Sequence, residues 1–185
     1  MVWPKALIDA GVADDADFVM VGDGSGSVWY RACGWGCVLI GSDGSRSVWH
    51  GAANLGSVNL AEAMAYMAPL CWLGTQKPQG VLWRVHIVTD SEHTAKSGND
   101  LMAAKGPLWH AVDMLRREGL VTYWHFVPRD KFDLNRLVDR ISKENRISLE
   151  AMIADPQGTM HNYVQEAIDT DPSPLESLDF GEAGD

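Results

Sequence analysis

Residues 81–89, Val-Leu-Trp-Arg-Val-His-Ile-Val-Thr, constrain the fold more than any other stretch. The run is nearly continuous in apolar and β-branched residues, the pattern of a strand covered on both faces. A strand of that kind needs neighbours and covering layers, which predicts an α/β fold built on a mixed sheet. It ends in Asp90-Ser91, so a carboxylate leaves the end of a buried strand. Residues 18–21, Phe-Val-Met-Val, read as a second buried strand, followed by Gly22-Asp23-Gly24-Ser25-Gly26. Gly24, Ser25 and Gly26 let the backbone approach something large and polar. Taken alone, Asp23-Gly24 is an Asp-Gly turn capping a hairpin. Its repetition at Asp90 shifts that balance, because two parallel neighbours would bring both carboxylates to the edge where α/β sites usually lie.

The other elements follow from periodicity. Residues 34–40 and 46–53 are strands joined by the turn Ser42-Asp43-Gly44-Ser45, so the chain opens as a three-strand antiparallel meander. Residues 59–67 are helical with the stripe Leu60, Met64, Met67, and Asn59 and Glu62 share a neighbouring face. Pro69 is expected to end or kink this helix before Trp72. Pro107 opens a helix that Gly119 stops, residues 121–127 form a fifth strand, and Asp133 caps a final helix with the stripe Leu134, Leu137, Val138, Ile141. Asn135 and Asp139 lie one turn apart on it, beside a basic stripe of Arg136, Arg140 and Lys143. Residues 148–154 and 159–168 read as two further short helices, and 169–185 as Pro-rich, acidic and disordered. The organisation expected is an N-terminal extension over 1–17 with no assigned chemistry, one domain over 18–146, and an acidic C-terminal extension over 147–185.

The net charge of -10 argues against a polyanionic partner only until it is divided. Residues 147–185 hold nine acids and no Lys or Arg, leaving sixteen acids against fifteen bases in residues 1–146. The acidity therefore sits in a tail, and the basic residues concentrate in the last third of the body. The N-terminus lacks a basic start and apolar stretch, and no run of 18 apolar residues occurs, so no membrane association and a cytoplasmic location are expected. Cys33, Cys37 and Cys71 lack paired CxxC spacing, which fits a reducing compartment; Cys33 and Cys37 read as buried or half-buried strand thiols.

The order of elements and motifs resembles the type 1 ribonuclease H family. The motifs are Asp23-Gly24-Ser25 after strand one, Gly34-Trp35-Gly36 opening strand two, Asn59-Leu60-Ala61-Glu62 on the first long helix, and Thr89-Asp90-Ser91 after strand four. Pro107-Leu108-Trp109, Val127-Pro128-Arg129 and Asn135 to Asp139 complete the series, over roughly residues 18–146. Each motif is weak alone; in this order, between these elements, they are specific. The resemblance implies a ribonuclease H-like fold, a five-stranded mixed sheet of three antiparallel then two parallel strands flanked by helices. It further implies that Asp23, Glu62, Asp90 and Asp139 are catalytic metal ligands, with Asp23 bridging. Hard Mg²⁺ takes carboxylate oxygens and retained waters, so this set suits two Mg²⁺ ions, with Mn²⁺ as a substitute. Gly24, Ser25, Ser57, Asn59, Arg129 and Asn135 are the expected substrate contacts, Asn59 at a 2′-hydroxyl or base edge. Asn135 reads equally well as a solvated helix-surface amide.

The activity implied is endonucleolytic hydrolysis of the RNA strand of RNA/DNA hybrids by a two-metal-ion mechanism, giving 5′-phosphate and 3′-hydroxyl ends. Two rivals stand beside it: a nuclease of the same fold acting on DNA or structured RNA, and a non-catalytic nucleic-acid-binding module. Four unmetallated carboxylates would be a standing cost to such a module. The chain departs from the family in three places. Residues 128–134 contain no histidine, where Arg129 or Lys131 is the nearest substitute. Residues 91–106 are too short for a basic protrusion, so this is a short form. The acidic tail is unlike the family core; solubility is its default role and a protein partner the alternative. His93, one helical turn past Asp90, reads as a packing or capping residue before a ligand, and His86 and His125 share one sheet face.

Overall fold

A computed structural model of the chain describes residues 3–27, 29–54, 56–104 and 106–154. Strands β1 (Phe18–Gly26), β2 (Ala32–Gly41) and β3 (Arg46–Asn54) form the antiparallel meander. Strands β4 (Trp83–Thr89) and β5 (Leu120–Phe126) add in parallel beyond β1, in the order β3-β2-β1-β4-β5. The expected five-stranded mixed sheet is the one observed.

Alternation along the strands divides the interior into two layers. Met20, Cys37, Leu39, Val85, Ile87 and Trp124 face helices α2 (Val58–Gln76), α3 (Glu92–Asn99) and α4 (Pro107–Arg117). Val19, Val21, Val38, Ile40 and Val88 face α1 (Lys5–Asp9) and α5 (Asp133–Ala154). Residues 3–17 belong to this second layer: Trp3, Leu7, Val12 and Ala16 are all buried in it. The stretch set apart as an extension thus helps build the core. Cys33 and Cys37 are buried in β2, and Cys71 is exposed on α2.

Four local expectations are corrected. The strand read as ending at Val21 runs on to Gly26, so Asp23 lies within a strand and not in a loop. Pro69 neither ends nor shortens α2; its ring is buried on the core side with Leu70 and Leu73, and burial of that face outweighs one lost backbone bond. That face runs through Ala61, Ala65, Tyr66, Leu70 and Leu73, whereas Leu60 and Met64 are half-buried. Residues 92–99, to which the sequence pattern assigns no element, form α3, and residues 148–154, expected as a separate helix, continue α5 without a break. The helix expected over 159–168 and the acidic tail lie outside the described residues. Among the described residues no helix is long and apolar enough to cross a membrane.

Candidate active site

The site forms where β1 outruns β4. Parallel pairing ends at Val21↔Val88, whereas antiparallel pairing with β2 continues to Gly26↔Cys33. Tyr66, buried on α2, sits under the divergence with its hydroxyl 2.7 Å from the Gly22 carbonyl and 3.1 Å from that of Val88. Past that point Asp23 projects toward α5 and Asp90 leaves the end of β4. Thr89 holds the exit, its Oγ1 accepting from the Ser91 amide at 3.1 Å, and Ser91 caps α3 by accepting from the Thr94 amide at 3.3 Å.

Glu62 arrives from the other face because α2 lies almost on the β1 backbone. A β-carbon on Gly24 would stand 2.2 Å from the Glu62 amide nitrogen and 2.4 Å from the Ala61 carbonyl carbon. Gly34 does the same for α5, where a β-carbon would stand 2.2 Å from the Ser142 carbonyl oxygen. Glycine at these two positions lets one helix from each side close on the strand ends.

Asp23, Glu62 and Asp90 each offer a carboxylate oxygen within 4.8 Å of the others. Asp139 stands apart from that trio, on α5, and is tied to it through Arg129. The Arg129 guanidinium donates from Nε to Asp90 at 2.5 Å, and lies 3.4 Å from Asp23 and 3.1 Å from Asp139. Lys143 donates to the other Asp139 oxygen at 2.7 Å. Asp23 also accepts from the buried Ser142 hydroxyl at 2.6 Å. Burial pushes Asp23 up to about 6, with Ser142 opposing and Asp90 adding to the rise. Burial foremost, then the charges of Asp23 and Asp90, push Glu62 up to about 9. Glu62 Oε2 is buried without a hydrogen-bond partner.

The expected substrate contacts separate. Ser57 and Asn59 are exposed at the start of α2, lining a groove of about 220 Å³ with His93, Pro107 and Trp109. His93 is exposed there on α3 and is not part of the carboxylate cluster. The Ser25 hydroxyl accepts from Arg146 Nε at 2.9 Å. Asn135 is corrected: it is 2% exposed, with neither side-chain polar atom partnered, and forms no part of a contact surface. It falls on the α5 face that carries Leu134 and Val138 into the core. Sequence reasoning missed Ser142, Tyr66 and the central position of Arg129 among three carboxylates.

No protein-family model and no curated protein matches the chain. Solved structures do. A ribonuclease H1 isolated from compost, LC11-RNase H1, in complex with an RNA/DNA hybrid, superposes with a TM-score of 0.60 at 18% identity, over 71% of this chain and 98% of that one. The N-terminal RNase H domain of a Mycobacterium tuberculosis protein gives 0.58 at 19%, over 71% and 94%. RNase H1 of Halobacterium salinarum gives 0.52 at 20%, over 69% and 96%. The fold is therefore ribonuclease H-like.

Proposed function

We propose that this chain is a divalent-metal-dependent endoribonuclease that hydrolyses the RNA strand of RNA/DNA hybrids, leaving 5′-phosphate and 3′-hydroxyl ends. The observation that carries the reading is the meeting of Asp23, Glu62 and Asp90 within 4.8 Å at the open strand ends of a ribonuclease H-like sheet. The donors fit a hard cation: all are carboxylate oxygens, none is sulfur or nitrogen, and Glu62 Oε2 is a buried acceptor with nothing donating to it. Mg²⁺ suits such a set, and Mn²⁺ is a substitute.

Asp23, Glu62 and Asp90 would hold the cation, with Asp139 completing the set from α5. Two ions held there would supply an activated water and neutralise charge at the phosphate and the leaving oxygen. Asp23 would be the ligand shared between the ions: it lies with Glu62 and Asp90 on one side and α5 on the other, and Ser142 holds one of its oxygens. Glu62, pushed up to about 9, keeps its proton at neutral pH in the metal-free protein and would release it on holding a cation, whereas Asp23, at about 6, is already largely ionised there. Arg129, paired with the carboxylates here, would be free to hold a substrate phosphate once a cation took its place. Asn59 and Ser57, exposed on the rim, take the 2′-hydroxyl side and the opposite strand's phosphate, and the Gly24-Ser25 backbone meets the RNA. The hybrid bound to LC11-RNase H1 supports this substrate class.

One observation favours a second reading. Arg129 and Lys143 already offset Asp23, Asp90 and Asp139, and Glu62 favours its neutral form, so such a site could persist without a metal in a non-catalytic nucleic-acid-binding module. Incubation of the protein with a labelled RNA/DNA hybrid, the matching RNA duplex and the matching DNA duplex, in Mg²⁺ or EDTA and alongside Asp90→Asn, decides between them. Metal-dependent cleavage of the hybrid alone, abolished in the variant, is expected. Cleavage of DNA or duplex RNA overturns the substrate, and binding without cleavage establishes the module.

A further inference from the structure

Beyond Asp23, β1 continues through Gly24 and Ser25 to Gly26, about 10 Å of extended chain at ~3.3 Å per residue. The turn into β2 then presents Trp29, 93% exposed, and Tyr30, 45% exposed. Trp3, Trp109 and Trp124 are buried and Trp72 is 42% exposed, so Trp29 stands in water far more than these other indoles. Arg31, exposed beside them, has φ 52°, a left-handed conformation that side-chain-bearing residues seldom adopt. Its carbonyl accepts from the Gly56 amide at 3.1 Å, and its guanidinium lies against Gly56, which has φ 68°. The turn is thereby pinned to the segment that leads into Ser57 and Asn59. Two aromatic rings and a cation stand, at a cost in backbone strain, on the same rim as those residues and in the turn that follows the strand carrying Asp23.

We infer that this turn grips the nucleic acid beside the reaction site, Trp29 packing on the sugar and base surface of a strand and Arg31 pairing with a backbone phosphate. The inference rests on the proposed function for its substrate. Exposed aromatics interleaved with a cation are how proteins hold nucleic-acid strands without reading their sequence. Tyr30 flanks Trp29 and widens the apolar platform, and the strained Arg31 fixes its direction.

The test is fluorescence anisotropy of a labelled RNA/DNA hybrid in EDTA, across a salt series, with the wild type, Trp29→Ala and Arg31→Ala. Steady-state cleavage in Mg²⁺ and sedimentation of each protein run alongside. Trp29→Ala is expected to weaken binding about fivefold or more with an unchanged salt slope. Arg31→Ala is expected to lower the slope of log affinity against log salt by about one. In cleavage, Trp29→Ala raises KM and leaves kcat in place, and its melting temperature stays at the wild-type value because the side chain is exposed. Wild-type binding by both variants overturns the inference, as does loss of self-association in place of hybrid affinity. If the wild type cleaves hybrid and the variants match it, the inference fails alone. If the wild type binds hybrid through Trp29 but never cleaves, the proposed activity fails alone. No binding by the wild type overturns both.

Discussion

Ser142 Oγ on α5 donates to Asp23 Oδ2 on β1 at 2.6 Å, a buried contact between residues 119 apart in the chain. Its backbone also lies where a β-carbon on Gly34 would intrude, so close packing and hydrogen bond come from one helix turn. The bond lowers the Asp23 pKa against the effect of burial. Ser142→Ala is therefore expected to cost about 1–3 kcal/mol of stability, since a buried acceptor loses its donor. It should also push the Asp23 carboxyl above its present value of about 6 and move the acid limb of cleavage to higher pH. Chemical denaturation and a pH–rate profile of the variant check both effects.

Arg129 competes for the carboxylates that a divalent cation would use. Its guanidinium pairs with Asp90, Asp23 and Asp139, yet its side chain is 53% exposed, so each pair is screened and individually weak. Arg129→Ala should destabilise the metal-free protein by ~1 kcal/mol and tighten Mg²⁺ binding several-fold. Melting curves in EDTA and calorimetric titration with Mg²⁺ give the two signs. Looser Mg²⁺ binding in the variant would show that Arg129 supports the cation site instead of occupying it.

His86 and His125 face each other across β4 and β5 on the α1 side of the sheet, Nδ1 to Nε2 at 2.9 Å with rings stacked. Burial first, then the neighbouring His125, push His86 down to about 4; Asp15 acts in the opposite sense, and burial also lowers His125. The pair is neutral in the fold, whereas an unfolded histidine titrates near 6.5. The unfolded chain thus binds more protons in the acid range, so stability is full above about 6.5 and falls as the pH drops toward 4. We expect a loss of ~2 kcal/mol across that window, and a flatter profile for His86→Leu, measured by denaturation at stepped pH.

The parts of this molecule that were legible before its structure are those written in local pattern. Asp23 and Asp90 stood out because each follows an apolar strand, and Glu62 because it shares a helix with Asn59. Residues joined only by the fold were invisible: Tyr66 and Ser142 carry no pattern that points at Gly22, Val88 or Asp23. Helix α3 was missed because Glu-His-Thr-Ala-Lys-Ser-Gly-Asn has no apolar stripe; Thr94, Ala95 and Gly98 are its buried residues, and Ser91 as a cap was the available signal. Asn135 was misplaced for the converse reason. A polar side chain on a helix reads as surface, and nothing in sequence revealed that it follows Leu134 into the core. Trp3, Leu7, Val12 and Ala16 did carry the spacing of a packed segment, obscured by Asp14, Asp15 and Asp17 around Ala16.

Gly24 tests whether the carboxylate cluster depends on contact between β1 and α2. A β-carbon there would stand 2.2 Å from the Glu62 amide nitrogen and 2.7 Å from its α-carbon, both backbone atoms that cannot rotate away. Gly24→Ala must therefore push the start of α2 off the strand or break the end of β1. Either response carries Glu62 away from Asp23 and Asp90. The expected cost is about 1–3 kcal/mol, the usual range for overpacking, with metal affinity falling more than stability does. Ser25→Ala, one residue on, faces α5 and loses its bond from Arg146, leaving the approach of Glu62 intact. Calorimetric Mg²⁺ titration of the two variants separates them: loss in Gly24→Ala but not in Ser25→Ala means that close backbone approach assembles the site, and equal loss in both means that it does not.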